Sequence, residues 1–406
     1  ASLDAGSLSV SLAGASFGLQ VGDNGTVFEL KDGTFDFAIP GFSAISATSV
    51  LVRYSDAIAN VNAGTVLGVA GLADYMFVDA IVSNTVVFAV TEFSANVADF
   101  VSLSGDLGFK KEGDTVIAVG ANIDASLDAG SASLSLEDAS FGLQIDDNGT
   151  VFELKDGAFT VDIPGLTTIA AESTLIRYAA VTASMTAGTK LSVGAVDYTF
   201  DEVILPDTVA FALTGFTASV SDFVSLSGDV GFKKEGGTII AVGANLDVSL
   251  VAGSASLSLN DASFGLQTSA AGTVFELKGG AFAATISGLS EITTASAFVR
   301  YADTASVAVD TTLSVGAVDY TFIHGVAPDS AAFVVIGFAA NVANFVSLSG
   351  NFGFSKEGSA IVAVGNDVNA SLEAGVASLS LSGASFGLQT NDSGTVFEFK
   401  GSAFAA

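Results

Sequence analysis

The sequence has no cysteine and no tryptophan, and only four prolines, two methionines and one histidine in 406 residues. Without cysteine the chain forms no disulfides, no thiolate metal sites and no thiol redox centre. The single histidine, His324, occurs in one part of the chain only, so neither a Ser-His-Asp triad nor a histidine metal centre recurs through it. We therefore expect a protein that is not an enzyme.

Basic residues are also scarce. Asp and Glu number 43 against 13 Lys and Arg, which gives a formal net charge of −30. That charge repels phosphate backbones and anionic lipid surfaces, so we expect no nucleic-acid partner. No run of about 18 apolar residues is present, which predicts no membrane span. The first residues lack a basic segment followed by an apolar one, so no signal peptide is expected.

Hydrophobic residues make up 50% of the chain, including 32 Phe. The most prominent feature of the sequence is internal repetition. The string ASFGLQ occurs four times and the string FVSLSG three times, at spacings of about 123 residues. These spacings divide the chain into repeat units 1–124, 125–247 and 248–369, followed by a partial unit 370–406. We expect the chain to be a window of a longer tandem array.

The local hydrophobic pattern has a period of two, which indicates strands. In the segment 238–250, one face would carry Ile240, Val242, Ala244, Leu246 and Val248. Polar turns that contain Asn-Gly join successive strands, and such short links require antiparallel neighbours. The sequence predicts an all-β fold of long antiparallel meander strands in an elongated, continuous rod. A parallel β-solenoid and beads of β-sandwiches are the alternatives, and a sandwich, a flattened barrel and a spiral of strands stay open.

The three arginines occupy one repeat position, and each precedes a tyrosine. Because the guanidinium group binds carboxylates through two donors, we expect each arginine to form a structural ion pair with a carboxylate that also recurs. Two sets of acids meet that condition. The arginines are Arg53, Arg177 and Arg300; the acids are either Asp74, Asp197 and Asp319 or Glu29, Glu153 and Glu276. A site for an anionic ligand is the functional alternative.

All six tyrosines lie at two repeat positions, after the arginines or in DYxF strings. This placement predicts structural aromatics with buried rings and satisfied hydroxyl groups. A sugar-stacking platform is the alternative. The six are Tyr54, Tyr178 and Tyr301 after the arginines, and Tyr75, Tyr198 and Tyr320 in the DYxF strings.

Acidic turns are the weak candidates for a metal. Asp23 and Asn24 in the first unit, and Asp146, Asp147 and Asn148 in the second, could supply oxygen ligands to Ca²⁺. The third unit has uncharged residues at this turn, and turn chemistry alone explains the Asp and Asn. We expect no cofactor, with Ca²⁺ as the possible exception.

The strings FVSLSGDLGFKKEG, GTVFELKDG and ASFGLQ resemble tandem β-repeats of giant Cys-free bacterial surface or secreted proteins, including adhesin-like chains. The resemblance implies an extracellular or cell-surface location and a mechanical role as a structural segment of a filament or adhesin stalk. Its partners would be further copies of the repeat, by self-association or continuation of the array. The alternative is a multivalent module that binds a carbohydrate or another surface.

Overall fold

The structure is a computed structural model in which every regular element of the described part is a β-strand. It describes residues 2–5, 8–38, 45–97, 101–129, 132–162, 169–220, 224–252, 254–286, 289–342, 345–401 and 403–405. Their contacts divide the chain into two compact units. The first unit contains residues 1–164 and 171–209, and the second contains 165–170 and 210–406. The repeat boundaries inferred above stay a prediction about the sequence.

The strands of the first unit are β1 Ser2–Ala5, β2 Leu8–Ala13, β3 Ser16–Gly22, β4 Gly25–Ala38, β5 Ile45–Ser55, β6 Val66–Leu67, β7 Tyr75–Met76, β8 Thr85–Val97, β9 Val101–Glu112, β10 Thr115–Ala129, β11 Ala132–Asp146, β12 Gly149–Lys155, β13 Ala158–Asp162, β15 Ser173–Ala179, β16 Lys190–Val193 and β17 Val196–Thr199.

The second unit holds most of β14 Ile169–Ala171 and of β18 Thr208–Val220, and all of β19 Val224–Glu235, β20 Thr238–Ala252, β21 Ala255–Ser269, β22 Gly272–Ile286, β23 Leu289–Thr294, β24 Ser296–Ala302, β25 Thr312–Val315, β26 Val318–Thr321, β27 Ser330–Val342, β28 Val346–Glu357, β29 Ala360–Ala374, β30 Ala377–Asn391, β31 Gly394–Lys400 and β32 Ala403–Ala405.

Within each unit the long strands form an antiparallel meander. In the first unit β8 pairs with β9, β9 with β10 and β10 with β11; in the second, β19, β20, β21 and β22 follow one another in the same way. The predicted all-β antiparallel meander is confirmed. The parallel solenoid is wrong for the described residues, because their described pairings are antiparallel. Two-residue turns such as Asp147-Asn148 are too short for a parallel return.

Most long strands contain a β-bulge near their middle. In β20 the residue Asn245 has a φ of 53°, and the pairing register shifts between Gly243 and Leu246. The predicted face of segment 238–250 is therefore wrong. Leu246 and Val248 share a face with Ile239 and Ala241, not with Ile240 and Val242, because the extra residue reverses the alternation.

A carboxylate or amide oxygen on a neighbouring strand accepts a hydrogen bond from the bulged backbone in both units. Asp106 Oδ1 accepts from the Glu92 amide at 2.8 Å, and Asp229 Oδ1 accepts from the Gly215 amide at 2.8 Å. Asn351 Oδ1 makes the same contact with the Gly337 amide at 2.8 Å. We call these contacts the bulge caps. They satisfy backbone donors that the interrupted ladder leaves unpaired.

One side of the long strands, which we call the apolar face, carries almost only hydrophobic residues. Its rows run across strands through directly paired residues. In the first unit one row is Phe17, Leu30, Val52, Phe88, Phe109, Ala118, Leu143, Phe152 and Tyr178. In the second unit the corresponding row is Val230, Gly243, Phe264, Leu277, Val299, Phe333, Phe354, Ala363, Leu388 and Phe397.

The opposite side, the polar face, carries Ser, Asp and Gly together with apolar residues such as Val87 and Val119, and it is partly covered by connections that we call the insertions. The first, second and third insertions are residues 56–84, 180–207 and 303–329. Each contains a two-stranded hairpin, formed by β6 and β7, β16 and β17, or β25 and β26. In the second insertion Phe200 and Val193 pack against Val119 and Val87 of the sheet. Most of the buried core of the first unit therefore lies between the polar face and the insertions, and a smaller cluster that includes Val50 and Val90 packs against Val52 and Leu107 of the apolar face.

Candidate functional site

Each insertion sits beside a buried group of one Glu, one Arg and one Tyr, which we call a triad. In the first unit the Arg53 Nε donates to Glu29, which lies directly opposite it on the paired strand. The Tyr75 hydroxyl donates to the other oxygen of Glu29 at 2.7 Å. The Glu29 side chain is fully buried, so both of its oxygens find donors where water has no access.

The same geometry recurs at the equivalent positions of the other two repeats. Arg177 Nε donates to Glu153, and the Tyr198 hydroxyl donates to Glu153 at 2.7 Å. In the second unit Arg300 donates to Glu276 through Nε at 3.0 Å and through Nη2 at 2.7 Å. The hydroxyl of Tyr320 completes that triad at 2.8 Å. Three buried carboxylates are thus held by one architecture.

The structure places the two sets of predicted acids differently. Glu29, Glu153 and Glu276 contact the arginines, whereas Asp74, Asp197 and Asp319 are exposed and lie outside the triads. Asp197 instead pairs with Lys190 at 2.6 Å. The reason is the alternation of the short strand, which turns the tyrosine of each DYxF string inward and the preceding aspartate outward. As proposed ion-pair partners of the arginines, the three aspartates are wrong.

The tyrosines divide into two classes. Tyr198 and Tyr320 are buried, at 3% and 2% exposure, and Tyr75 at the equivalent position is half-buried. The prediction of buried rings is wrong for the tyrosines that follow the arginines, which are 43–47% exposed. Because neighbouring residues on a strand point to opposite faces, burying the arginine on the polar face places the next residue on the apolar face. These exposed tyrosines are Tyr54, Tyr178 and Tyr301.

Burial changes the acidity of the insertion tyrosines. Removal from water raises the pKa of the Tyr198 hydroxyl well above its ordinary value of 10.0, and the nearby Glu153 carboxylate raises it further. Burial followed by the hydrogen bond to the glutamate raises the pKa of Tyr75 and of Tyr320 in the same direction. These phenols therefore stay protonated at neutral pH and act as hydrogen-bond donors to the glutamates.

The glycine of the ASFGLQ string is a residue whose role the sequence did not reveal. A Cβ placed on Gly142 would lie 2.3 Å from the Tyr198 ring, and one on Gly265 would lie 2.3 Å from the Tyr320 ring. The tyrosine of each triad thus rests directly on a bare backbone position of the sheet. Only glycine permits this approach. The sequence signal that could have revealed this role was the recurrence of the ASFGLQ string.

In the candidate calcium turns, the acidic side chains are either exposed or already accept hydrogen bonds from neighbouring residues. Asp23 and Asn24 are exposed in the turn between β3 and β4. Asp146 accepts hydrogen bonds from the Asn148 amide at 2.8 Å and from Gln144 at 3.0 Å, and Asp147 is exposed. Among the described residues, no three His, Asp or Glu side chains are grouped so as to hold a metal ion. Binding of Ca²⁺ stays a prediction.

The apolar face is covered in part only, because Val50 and Val90 on it are buried whereas several of its phenylalanines are not. Phe88 and Phe109 are 48% and 41% exposed in the middle of the first unit's sheet, and Phe333 and Phe354 are 49% and 44% exposed in the second. At one end of the strands the face changes character, where Tyr54 and Val86 pair beside Lys111. Within the described residues, no helix has the length and apolarity to cross a membrane.

Comparison with known proteins gave matches among solved structures alone. No protein family and no curated protein matches the chain. A match among solved structures is the crystal structure of OccK5 (OpdH) from Pseudomonas aeruginosa, an outer-membrane porin, at 7% identity and a TM-score of 0.21 over 98% of both chains. At that TM-score the match assigns neither fold nor function to this chain.

The predicted resemblance to adhesin-like repeats is wrong, since no family model and no curated protein of that class matches the chain. The filament or adhesin-stalk function and the alternative of a carbohydrate- or surface-binding module are withdrawn with it. The extracellular or cell-surface location, the continuation of the array and the rod shape stay predictions.

Proposed function

We propose that the chain is a non-enzymatic, membrane-embedded β-sheet protein, with its apolar face in contact with lipid hydrocarbon and its polar face bordering water. The observation that carries this proposal is the half-exposure of the phenylalanines on the apolar face of β8, β9, β27 and β28. Water-soluble monomers rarely expose contiguous apolar patches larger than a few hundred Å². Such a surface requires a cover, and lipid supplies one along the whole sheet.

The length of the apolar face fits a bilayer. On β9 it runs from Val101 to Phe109 through alternate residues, and Lys111 follows. Transmembrane strands need about 9–11 residues. At about 3.3 Å per residue this stretch spans about 26 Å, close to the apolar band of about 25 Å on known membrane strands.

The residues at one end of this stretch match a membrane–water boundary. Tyr54 and Tyr178 lie half-exposed on the apolar face, and the exposed Lys111 lies in the same row as Tyr54. Aromatic side chains with a polar tip concentrate at lipid headgroups, and lysine extends its charge past an apolar stem into water. Tyr301 repeats this position in the second unit.

The polar face supplies a hydrophilic border. Ser102, Ser126, Ser135 and Thr160 pair in one row across β9, β10, β11 and β13, directly behind the apolar residues. With a net charge of −30, such a surface attracts cations and repels anions at long range. The proposed role is the wall of an aqueous passage for polar solutes. The proposed membrane contact differs from the sequence prediction of no membrane span. That prediction was based on the lack of a long apolar run, and membrane strands in which apolar and polar residues alternate do not contain one.

The test uses the absence of native cysteine. Single variants Leu103→Cys and Ser104→Cys place an environment-sensitive fluorophore on adjacent residues of β9 that face opposite ways. In vesicles we expect blue-shifted emission and quenching by nitroxide-labelled lipid tails at position 103. At position 104 we expect quenching by iodide in water instead. Electrical recording across a planar bilayer then tests for the passage.

Three outcomes are distinguished. Opposite quenching at the two positions supports lipid contact by the apolar face. Equal access of iodide to both positions contradicts it. A blue shift at position 103 that is insensitive to the lipid nitroxide also contradicts it, because the cover is then a second copy of the sheet and not hydrocarbon.

A further inference from the structure

The three triads differ in the second partner of their arginine. Arg53 Nη2 also binds Asp79 at 2.8 Å, and Arg177 Nη1 also binds Glu202. The equivalent residue in the third repeat is His324, and there Arg300 Nη1 reaches only the Gly325 carbonyl at 3.5 Å. Arg300 therefore keeps its buried glutamate but has no outer carboxylate.

The lysine beside the triad also loses its carboxylate partner between the second repeat and the third. Lys155 binds Asp201 and the Thr199 carbonyl, the latter at 2.9 Å. Its counterpart Lys278 binds the Thr321 carbonyl at 2.5 Å and lies 4.5 Å from the Tyr320 ring centre, but Ile323 stands where Asp201 was. The third repeat thus retains both cations of the second and lacks both of its outer carboxylates. The first repeat, with Val78 and Asp79, has one.

A cavity of about 650 Å³ lies at this place in the second unit. Lys278, Arg300 and His324 line it, together with Asp261. The rest of the wall is mainly apolar and includes Phe298, Val334 and Ile336; the Arg300 guanidinium stacks 4.8 Å from the Phe298 ring. A volume of this size suits a small organic molecule.

We propose that this cavity is a binding site for a small organic carboxylate with an apolar body. The carboxylate takes the place that Asp201 and Glu202 occupy in the second repeat, with Lys278 and Arg300 as donors, and the apolar body packs against Phe298 and Val334. In the second repeat, acids of the chain itself pair with the lysine and the arginine. In the third repeat those acids are absent, and the cavity leaves room for an external carboxylate. The inference does not depend on the proposed lipid contact.

The probe is 3-phenylpropionate, titrated calorimetrically into the full chain, with 3-phenylpropanol as the uncharged control. We expect the acid to bind and the alcohol to bind at least about tenfold more weakly, because charge-assisted hydrogen bonds contribute about 1.5–3 kcal/mol. The double variant Ile323→Asp/His324→Glu, which restores the acids of the second repeat, should lose binding by a similar factor while its circular dichroism stays that of the original chain.

Lys278→Met should weaken binding in the same way, whereas the matched variant Lys190→Met, which removes a lysine that does not line the cavity, should not. Absence of binding at millimolar 3-phenylpropionate overturns the proposal, as does unchanged binding by the folded double variant. Equal binding of the alcohol overturns the role of the cations. Affinity that falls as protein concentration rises shows that another copy fills the cavity, and it also overturns the proposal.

Discussion

Glu153 and Arg177 lie directly opposite one another on the paired strands β12 and β15, and the fully buried carboxylate accepts a hydrogen bond from the arginine Nε. Tyr198 reaches the same carboxylate from the second insertion. The triad therefore ties an insertion to the sheet through one acid. A buried charge of this kind favours specificity of docking more than net stability.

Loss of the arginine should destabilise the first unit strongly. In Arg177→Met the Glu153 carboxylate stays buried without its charge partner, and we expect a loss of about 3–5 kcal/mol in the free energy of unfolding. Tyr198→Phe removes one hydrogen bond and should cost about 1 kcal/mol. Urea unfolding followed by intrinsic fluorescence measures both. A cost below that of Tyr198→Phe would show that the arginine is not needed to hold the acid.

The glycines of the ASFGLQ strings offer a matched pair. Gly142→Ala places a Cβ 2.3 Å from the Tyr198 ring and should displace the second insertion, with a loss of about 1–3 kcal/mol. Gly387→Ala, in the same string of the fourth repeat, meets no atom within 4 Å and should leave stability nearly unchanged. Protease digestion within residues 180–207 reports the displacement. Equal effects of the two substitutions would contradict the packing described.

The bulge caps can be tested with a conservative variant that the chain itself provides. Asp229→Ala removes the acceptor of the Gly215 amide and of the Asn245 side chain, and should cost about 1–3 kcal/mol. Asp229→Asn should cost less, because Asn351 caps the equivalent bulge in the third repeat. Amide hydrogen exchange at Gly215 is the direct measurement. Faster exchange in the alanine variant only is the expected result.

High pH should loosen the insertions. Because burial raises the pKa of Tyr75, Tyr198 and Tyr320 above the unfolded value of 10.0, the unfolded chain loses these protons before the folded chain does. The free energy of unfolding therefore holds below pH 10 and falls as the pH rises beyond it. Absorbance at 295 nm should show delayed ionisation of these phenols, and Tyr198→Phe should reduce its amplitude. A single transition of all six tyrosines near pH 10 in the folded chain would contradict this prediction.

The sequence was sufficient for the strand type and the pairing direction. Period-two alternation and Asn-Gly turns such as Asn148-Gly149 predicted a meander of long strands, and the structure has it. The bulges were not predicted, although Asn245 and Asp261 inside apparent strands were signals for them. Because the extra residue of the bulge was not predicted, the faces assigned to the part of segment 238–250 that follows it were the wrong way round.

The site could be predicted only in part. Recurrence narrowed the partner of Arg177 to two acids, but choosing Glu153 over Asp197 required the register of the strands. The amphipathic character of the sheet was visible in the alternation, but the exposure of Phe88 and Phe333 was not. The cavity beside Arg300 depends on a tertiary void, which no pattern of residues reports. The one sign of this cavity in the sequence was the single histidine, His324.

Every bulge cap described above joins residues fourteen positions apart, as between Glu92 and Asp106 and between Gly215 and Asp229. Adding or deleting one residue between such partners would detach the acceptor from its amide and also exchange the hydrophobic and hydrophilic sides of everything downstream in that strand. Changes of chain length are consequently confined to the loops. This constraint explains how copies that differ in many side chains keep a spacing of 122 to 124 residues.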